Sequence, residues 1–429
     1  MTTDTPARQA SWKWWVCGLL LLASAINYMD RQTLANAAVR ITQQFQLSQE
    51  QYGDLELAFG WAFAVGSLVF GFFADRFSVR WIYPIVLALW SATGFATGLV
   101  HGYGDLLVCR TLLGFFEAGH WPCAIKTTQR LLEPKDRSMG NSVLQSGTSI
   151  GAIATPLLMR ALLTEELSSW RFAFQAIGLV GVVWIVAWFA LVRPNDLKGP
   201  APRTVSPVSD ASEGASVWRV IFSRRMLVVL IVVALINTGW QLLRAWLPKF
   251  LQEGRGYGEA AALNFNSLFF IATDVGCLGA GAFTLWWHRR GVSVHGARCA
   301  TFLVCASLAA LTVVAAFSPK GWLLLGLLLL VGAGALGVFP IYHAFTQDLT
   351  RHHQGMVTGV AGVAAWALSP AQKFYGRLID QTGSFDLGFA VAGCLPLLAF
   401  AVLWRLWPKN AQGDGPQGIK RSPSSRGLN

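Results

Sequence analysis

Charge is the scarce ingredient of this chain. Only 13% of its 429 residues are charged, while 54% are apolar; a soluble protein carries about 25% charged residues. The shortage argues against a solvated globular surface. Cysteine is sparse as well, seven in all. Most lie inside apolar runs, with no Cys-x-x-Cys pair and no metal-ligand spacing, so they read as small core residues rather than disulfides or a metal site. No nucleophile–base constellation and no phosphate-cradling glycine loop is recognisable, so neither an enzyme nor a bound cofactor is expected. A cleavable signal pattern is missing too. The first apolar run, Trp14–Leu34, is long enough to span a bilayer, and no small-residue cleavage site follows it.

Acidic residues fall short of basic ones, 22 against 34, for a net charge of +12. Nucleic-acid binders gather such charge on one folded surface. Here the cations sit in short gaps between apolar runs, so no nucleic-acid partner is expected. What the chain does have is apolar stretches of roughly 20 residues, the length of a membrane-crossing helix. It also has 19 Trp and 27 Phe, suited to interfacial belts and lipid-facing surfaces. Spans are expected at 13–34, 53–74, 80–100, 104–126, 138–160, 170–192, 227–248, 263–287, 296–317, 321–347, 355–378 and 386–406. A polar stretch rich in Pro and Ser divides them six and six. The expected organisation is a six-helix bundle over 1–192, a linker over 193–226, a second six-helix bundle over 227–407, and a disordered polar tail over 408–429.

Every second connection is basic: Arg8 and Lys13; Arg76 and Arg80; Arg130, Lys135 and Arg137; the linker; Arg289, Arg290 and Arg298; Arg351; and the tail from Arg405. The positive-inside rule then puts both termini and the linker in the cytoplasm, which an even number of spans also requires. Gly140 and Gly355 lie 215 residues apart (355 − 140), as do Gly147 and Gly362, Phe174 and Phe389, and Gly178 and Gly393. This fits a duplication with both halves in one orientation, an arrangement that favours a central site between two bundles rocking against each other.

The loop after span two reads Gly71-Phe-Phe-Ala-Asp75-Arg76-Phe-Ser-Val-Arg80. It resembles the G-x-x-x-D-R-x-x-x-R signature of the major facilitator superfamily. Gly71 would allow close helix approach, Asp75 would cap or pair with nearby helix ends, and Arg76 and Arg80 would hold a cytoplasmic latch. The equivalent loop of the second half has Gly281 and Arg289-Arg290 but no matching Asp.

Ionisable residues also fall inside the first half's spans: Asp30 and Arg31 near the outer end of span one, Arg110 and Glu117 in span four. Buried charge in a bilayer costs several kcal/mol unless paired or wet. Arg110 and Glu117, seven residues apart, share one helix face, and Gly114 and Ala118 leave room near it. One reading is a substrate-plus-proton site, since a guanidinium matches a carboxylate and a carboxylate in a dry cavity readily carries a proton. The other is a neutral cluster that only ties span one to span four. At the 215-residue offset Arg110 falls on Leu325 and Glu117 on Gly332, which favours the first. His120 could join a proton relay. Tyr28 and Thr148 are cavity candidates. In the second half Asn237, Gln241, Tyr342, His343 and Gln347 could meet hydroxyls, Arg244 is expected to snorkel to the interface, and Asp274 needs a partner or water. Pro248, Pro340 and Pro370 suggest kinks or helix ends.

Over nearly the whole chain, from about Trp14 to Trp407, the sequence resembles the anion:cation symporter branch of that superfamily, most of all its hexuronate and aldonate (sugar acid) transporters. The segments carrying the likeness are Asn27-Tyr28-Met29-Asp30-Arg31, Arg110-Thr-Leu-Leu-Gly114-Phe-Phe-Glu117-Ala-Gly119, Ser146-Gly147-Thr-Ser-Ile-Gly151 and Trp246-Leu-Pro248-Lys-Phe-Leu. The resemblance implies an all-α integral membrane fold of twelve transmembrane helices, in two six-helix bundles related by a pseudo-two-fold axis along the membrane normal. It implies that Arg31 engages a substrate carboxylate, that Asp30 and Glu117 carry protons as the coupling ion, and that Arg110 is the ion-pair partner of Glu117. Tyr28 and Thr148 match cavity-lining positions. Phe63 stands where related aldonate transporters carry a tyrosine. The expectation is a multi-pass protein of the bacterial inner membrane, able to work as a monomer, importing a sugar acid with protons. An organophosphate:phosphate antiporter of the same superfamily is the alternative, and a non-transporting membrane receptor the alternative of another class.

Overall fold

Proline sets several of the breaks in an otherwise all-helical chain. The computed structural model describes residues 6–132, 137–193, 196–197, 221–347, 349 and 354–407. Among them the helices are α1 (Pro6–Phe45), α2 (Gln49–Arg76), α3 (Val79–Thr97), α4 (Tyr103–Glu117), α5 (His120–Leu131), α6 (Arg137–Leu162), α7 (Trp170–Leu191), α8 (Arg224–Lys249), α9 (Glu259–Arg289), α10 (Val294–Ala310), α11 (Thr312–Phe317), α12 (Trp322–Gly337), α13 (Phe339–Gln347), α14 (Gln354–Ala367), α15 (Pro370–Thr382) and α16 (Asp386–Leu406). They form twelve rods, because α4/α5, α10/α11, α12/α13 and α14/α15 are each one span interrupted by one or two residues. Pro122, Pro340 and Pro370 follow three of these breaks; each lacks the N–H that would continue the ladder. Pro248 precedes a π turn at Phe250–Gly254.

Among the described residues, eight helical stretches are long and apolar enough to cross a membrane. The remaining rods are those diluted by function or broken by proline: α1 with its polar centre, α4/α5, α6 with its Ser, Thr and Gly rows, and α14/α15. The twelve expected spans are all found. The largest departure is α1, which runs on to Phe45 rather than stopping near Leu34. Asp30 and Arg31 therefore sit in the body of the helix, not near its outer end. Of the expected linker, 194–195 and 198–220 lie outside the described residues, as do the expected tail, Lys135 and Arg351, while α8 already begins at Arg224.

Two bundles result, α1–α7 and α8–α16. Their duplication is visible in packing. A Cβ on Gly178 would fall 2.8 Å from the Ser91 carbonyl of α3, and one on Gly393 would fall 2.4 Å from the Ala309 carbonyl of α10. Both glycines thus let the last span of a half press on the third. Gly147 gives the same close approach to Leu21 of α1, whereas its partner Gly362 has open space.

The halves meet along α1 with α8, α2 with α14/α15, and α6 with α9. Among the described residues, polar contacts crossing between them are found on the face opposite the termini. There Arg40 holds Glu259 through two bonds of 2.6 Å. Arg377 holds Glu50 at 2.7 and 3.0 Å. Asp380 accepts from the backbone N–H groups of Gln49 and Glu50 at the start of α2. Deeper in, Asn266 donates to Asn36 at 2.7 Å, and Ser149 of α6 donates to Asp274 of α9 at 2.9 Å. Asp274 thereby finds its partner. One turn nearer the termini on the same stripe of α6, Gln145 is exposed. Among the described residues the halves are tied together on the far face.

The loop after α2 keeps its charged pattern with altered roles. Arg80 donates to the Val192 carbonyl at 3.1 Å, tying the start of α3 to the end of α7 within one half. Arg76 lies over the Phe72 ring. Nothing approaches the Cβ position of Gly71, so the expected close helix contact there is not made. The Asp75 side chain lies outside the described residues.

Candidate functional site

Six ionisable side chains converge where α1, α2, α4 and α8 approach each other. α1 supplies Asp30 and Arg31, α2 supplies Glu56, α4 supplies Arg110 and Glu117, and α8 supplies Arg244. None is more than 6% exposed. Glycine makes the convergence possible. A Cβ on Gly114 would sit 2.3 Å from the Phe59 carbonyl, so α4 lies directly on α2 and brings its two charges inward.

The pairing differs from expectation. Arg31 Nε donates to Glu117 Oε2 at 2.7 Å. Arg110 does not hold Glu117; its Nη2 donates to Glu56 Oε1 at 3.3 Å. The reason is elementary: seven residues on one helix span about 10.5 Å of rise. Sharing a face is not sharing a contact, and each side chain reaches sideways to another helix. Arg244 does not snorkel to an interface either. It is 2% exposed, and its Nη2 donates to Glu56 Oε2 at 2.5 Å. Its Nε donates to Gln241 at 2.7 Å, and its Nη1 reaches the Arg31 carbonyl at 3.4 Å. A long side chain takes a buried carboxylate over the lipid boundary when the carboxylate would otherwise be uncompensated. Glu56, absent from the sequence expectation, is the hinge of this arrangement. The signal was Tyr52, Glu56, Phe59 and Phe63 recurring on one face of α2.

Arg31 is framed by aromatic rings: Phe63 at 4.7 Å, Phe59 at 5.4 Å and Tyr28 at 5.6 Å from its guanidinium carbon. Phe63 packs a ring face against the guanidinium and offers no hydroxyl. Arg31 Nη2 and Glu117 Oε1 are buried and hydrogen-bond to no other described residue. Asp30 is within electrostatic reach of Glu117, Arg110 and Arg31, yet neither of its oxygens has a hydrogen-bond partner. It points at Gly94 of α3, where a Cβ would come within 3.1 Å. Asn27 Nδ2, Trp90 Nε1 and Ser91 Oγ are likewise buried without partners.

The remaining expected residues divide. Tyr342 lies near Asn237, whose amide donates to the Val233 carbonyl at 2.9 Å, and within electrostatic reach of Tyr28 of the other half. Gln241 borders a small gap with Thr238, Trp366 and Ser369. Thr148 is buried, bonded to the Gln145 carbonyl at 2.8 Å. The Gln347 side chain lies outside the described residues. His120 is fully buried and within electrostatic reach of Arg31, but it hydrogen-bonds to none of the clustered charges. Its Nε2 meets Ser24 Oγ at 3.0 Å and its Nδ1 meets Tyr83 Oη at 2.9 Å, so both ring nitrogens are occupied. It pins the broken fourth span to α1 and α3.

Residues 20–371 match the Major Facilitator Superfamily. The chain belongs to that superfamily. It is accordingly a multi-pass membrane protein of two six-helix bundles. It is 24% identical to the hexuronate transporter of Escherichia coli (strain K12), over 91% of this chain and 93% of that protein. It is 27% identical to the hexuronate transporter of Bacillus subtilis (strain 168), over 89% of this chain and 91% of that protein. Among solved structures, a bacterial homolog of the human lysosomal transporter Spinster superposes with a TM-score of 0.72 at 16% identity, covering 92% and 94% of the two chains.

Proposed function

We propose that this superfamily member is a proton-coupled symporter that imports a monocarboxylate sugar acid across the bacterial inner membrane, with both termini in the cytoplasm. The observation carrying the reading is the state of Arg31. Its fork is half used by Glu117, and its Nη2 has no partner. A guanidinium so placed takes a carboxylate bidentately only if Glu117 lets go. Protonation of Glu117 releases it, so proton and anion binding support each other. The charge count agrees. Three arginines face three carboxylates, and one proton on Asp30 or Glu117 leaves a single positive charge for a monoanion to neutralise. Curated relatives named as hexuronate transporters support the sugar acid as substrate class. Tyr28, Tyr342 and Asn237 offer hydroxyl and amide groups to a polyol tail.

On this reading the tied far face is periplasmic, and Glu117 holds the guanidinium that the substrate would take. The test is a thermal-shift screen of sugar acids on purified protein, followed by liposome uptake of glucuronate and of glycerol phosphate with and without a pH gradient. Gradient-driven uptake of the sugar acid is expected. Gradient-independent exchange of glycerol phosphate for phosphate would replace this reading with an antiporter.

A further inference from the structure

The Glu56 carboxylate bridges two arginines from opposite halves. Arg110 belongs to its own bundle, at 3.3 Å, and Arg244 to the other, at 2.5 Å. Arg110 and Arg244 are also within electrostatic reach of each other. Around this bridge Tyr52, one turn earlier on α2, donates to the Ala245 carbonyl of α8 at 2.9 Å and packs edge-on against Trp246. Among the described residues the bridge is thus a buried charged contact across the halves, beneath the half-exposed Glu50, Lys373 and Arg377 network on the far face.

We propose that Glu56 is the charge keystone of far-face closure, a positioning residue that joins the anion site to the gate. It neutralises Arg110 beside the site and captures Arg244 as the second half swings in. The proposal rests on the reading that the two halves rock. A buried ion pair loses most of its attraction to desolvation, so this bridge is near balance and can be broken when water enters on opening. Remove the carboxylate and two buried cations from opposite halves face each other, and separating the halves relieves them. Because Glu56 occupies Arg110, Glu117 is left to Arg31. The same carboxylate therefore sets which arginine the substrate must win.

The test needs no substrate, so it stands or falls apart from the transport reading. Spin labels at Gln43 and Gln381, exposed ends of α1 and α15 in opposite halves, report far-face opening in nanodiscs by pulsed electron resonance, with the native cysteines replaced. Wild type should show mainly the short distance. Glu56→Gln should raise the ratio of long to short distances ~tenfold or more. Adding Arg244→Gln to it should bring the short distance back, since the repulsion is gone. A role in packing alone predicts the opposite, two losses that add. An unchanged distribution in Glu56→Gln, or a double variant more open than the single one, overturns the proposal. Should Glu56→Gln not fold, recovery of monodisperse protein in the double variant is the expected result, and failure to recover it counts against the keystone.

Discussion

Replacing Glu117 by Gln tests the coupling reading most directly. The substitution keeps the side chain's shape and leaves an amide oxygen for Arg31 while removing the charge. In the wild type an anion reaches Arg31 only by displacing a carboxylate held at 2.7 Å. Two unit charges about 4 Å apart interact by about 4 kcal/mol at an effective dielectric of 20. Solvation changes on both sides cancel part of that, since an ion pair this buried gives back much of its attraction. An affinity gain of ~10- to 100-fold for the sugar acid is expected at pH values where the wild-type carboxylate is ionised, each decade being about 1.4 kcal/mol. The sign follows from competition: raising pH ionises Glu117, returns it to Arg31 and weakens binding in the wild type. In Glu117→Gln that dependence should flatten. Isothermal titration from about pH 6 to pH 8 would measure both effects. In liposomes the variant should lose uphill accumulation while retaining counterflow exchange. Uphill uptake that survives the change, or binding as pH-dependent as in the wild type, would refute the idea that Glu117 carries the obligatory proton.

Arg31→Lys keeps the charge but loses the fork, and substrate affinity should fall at least ~tenfold; titration with the sugar acid checks this, and an unchanged affinity would exclude a bidentate grip. Gly376→Ala would put a methyl 2.1 Å from the Gln49 carbonyl of the opposite half. It should hold the far face ajar and cut the maximal uptake rate more than it lowers the melting temperature. Gly147→Ala would place its methyl 2.1 Å from the Leu21 carbonyl inside one bundle, and it should do the reverse, costing about 1–3 kcal/mol of stability by overpacking. His120→Phe would strand the buried Tyr83 hydroxyl, at about 1–3 kcal/mol, while Ser24 keeps its bond to the Leu20 carbonyl. It should lower thermal stability while leaving the pH profile of uptake in place, because both His120 ring nitrogens bond to neutral hydroxyls and none to the six clustered charges; a shifted profile would return it to the proton path.

The twelve rods were legible because a bilayer allows few alternatives to a long apolar helix, and apolar runs are a one-dimensional signal. Their lengths were less so. The polar residues of α1 from Asn36 to Gln44 read as a loop, yet the helix continues there because Arg40 and Asn36 find partners in the second half. The site was legible in its members and not in its pairings. Asp30, Arg31, Arg110 and Glu117 stood out as charges where charge is costly, but which carboxylate serves which guanidinium depends on four helices at once. Only the rise of α4 could have excluded an Arg110–Glu117 contact in advance. Glu56 and Arg244 were obscured for a related reason. Each lies about one turn from an expected span end, a depth at which a charge usually escapes to the interface. Each stays buried because the other is there. A pair of that kind cannot be read from either helix alone, since its stability belongs to the closed arrangement of two halves. That is also why it can be lost when they part, and a contact with this property is suited to sense which way the transporter faces.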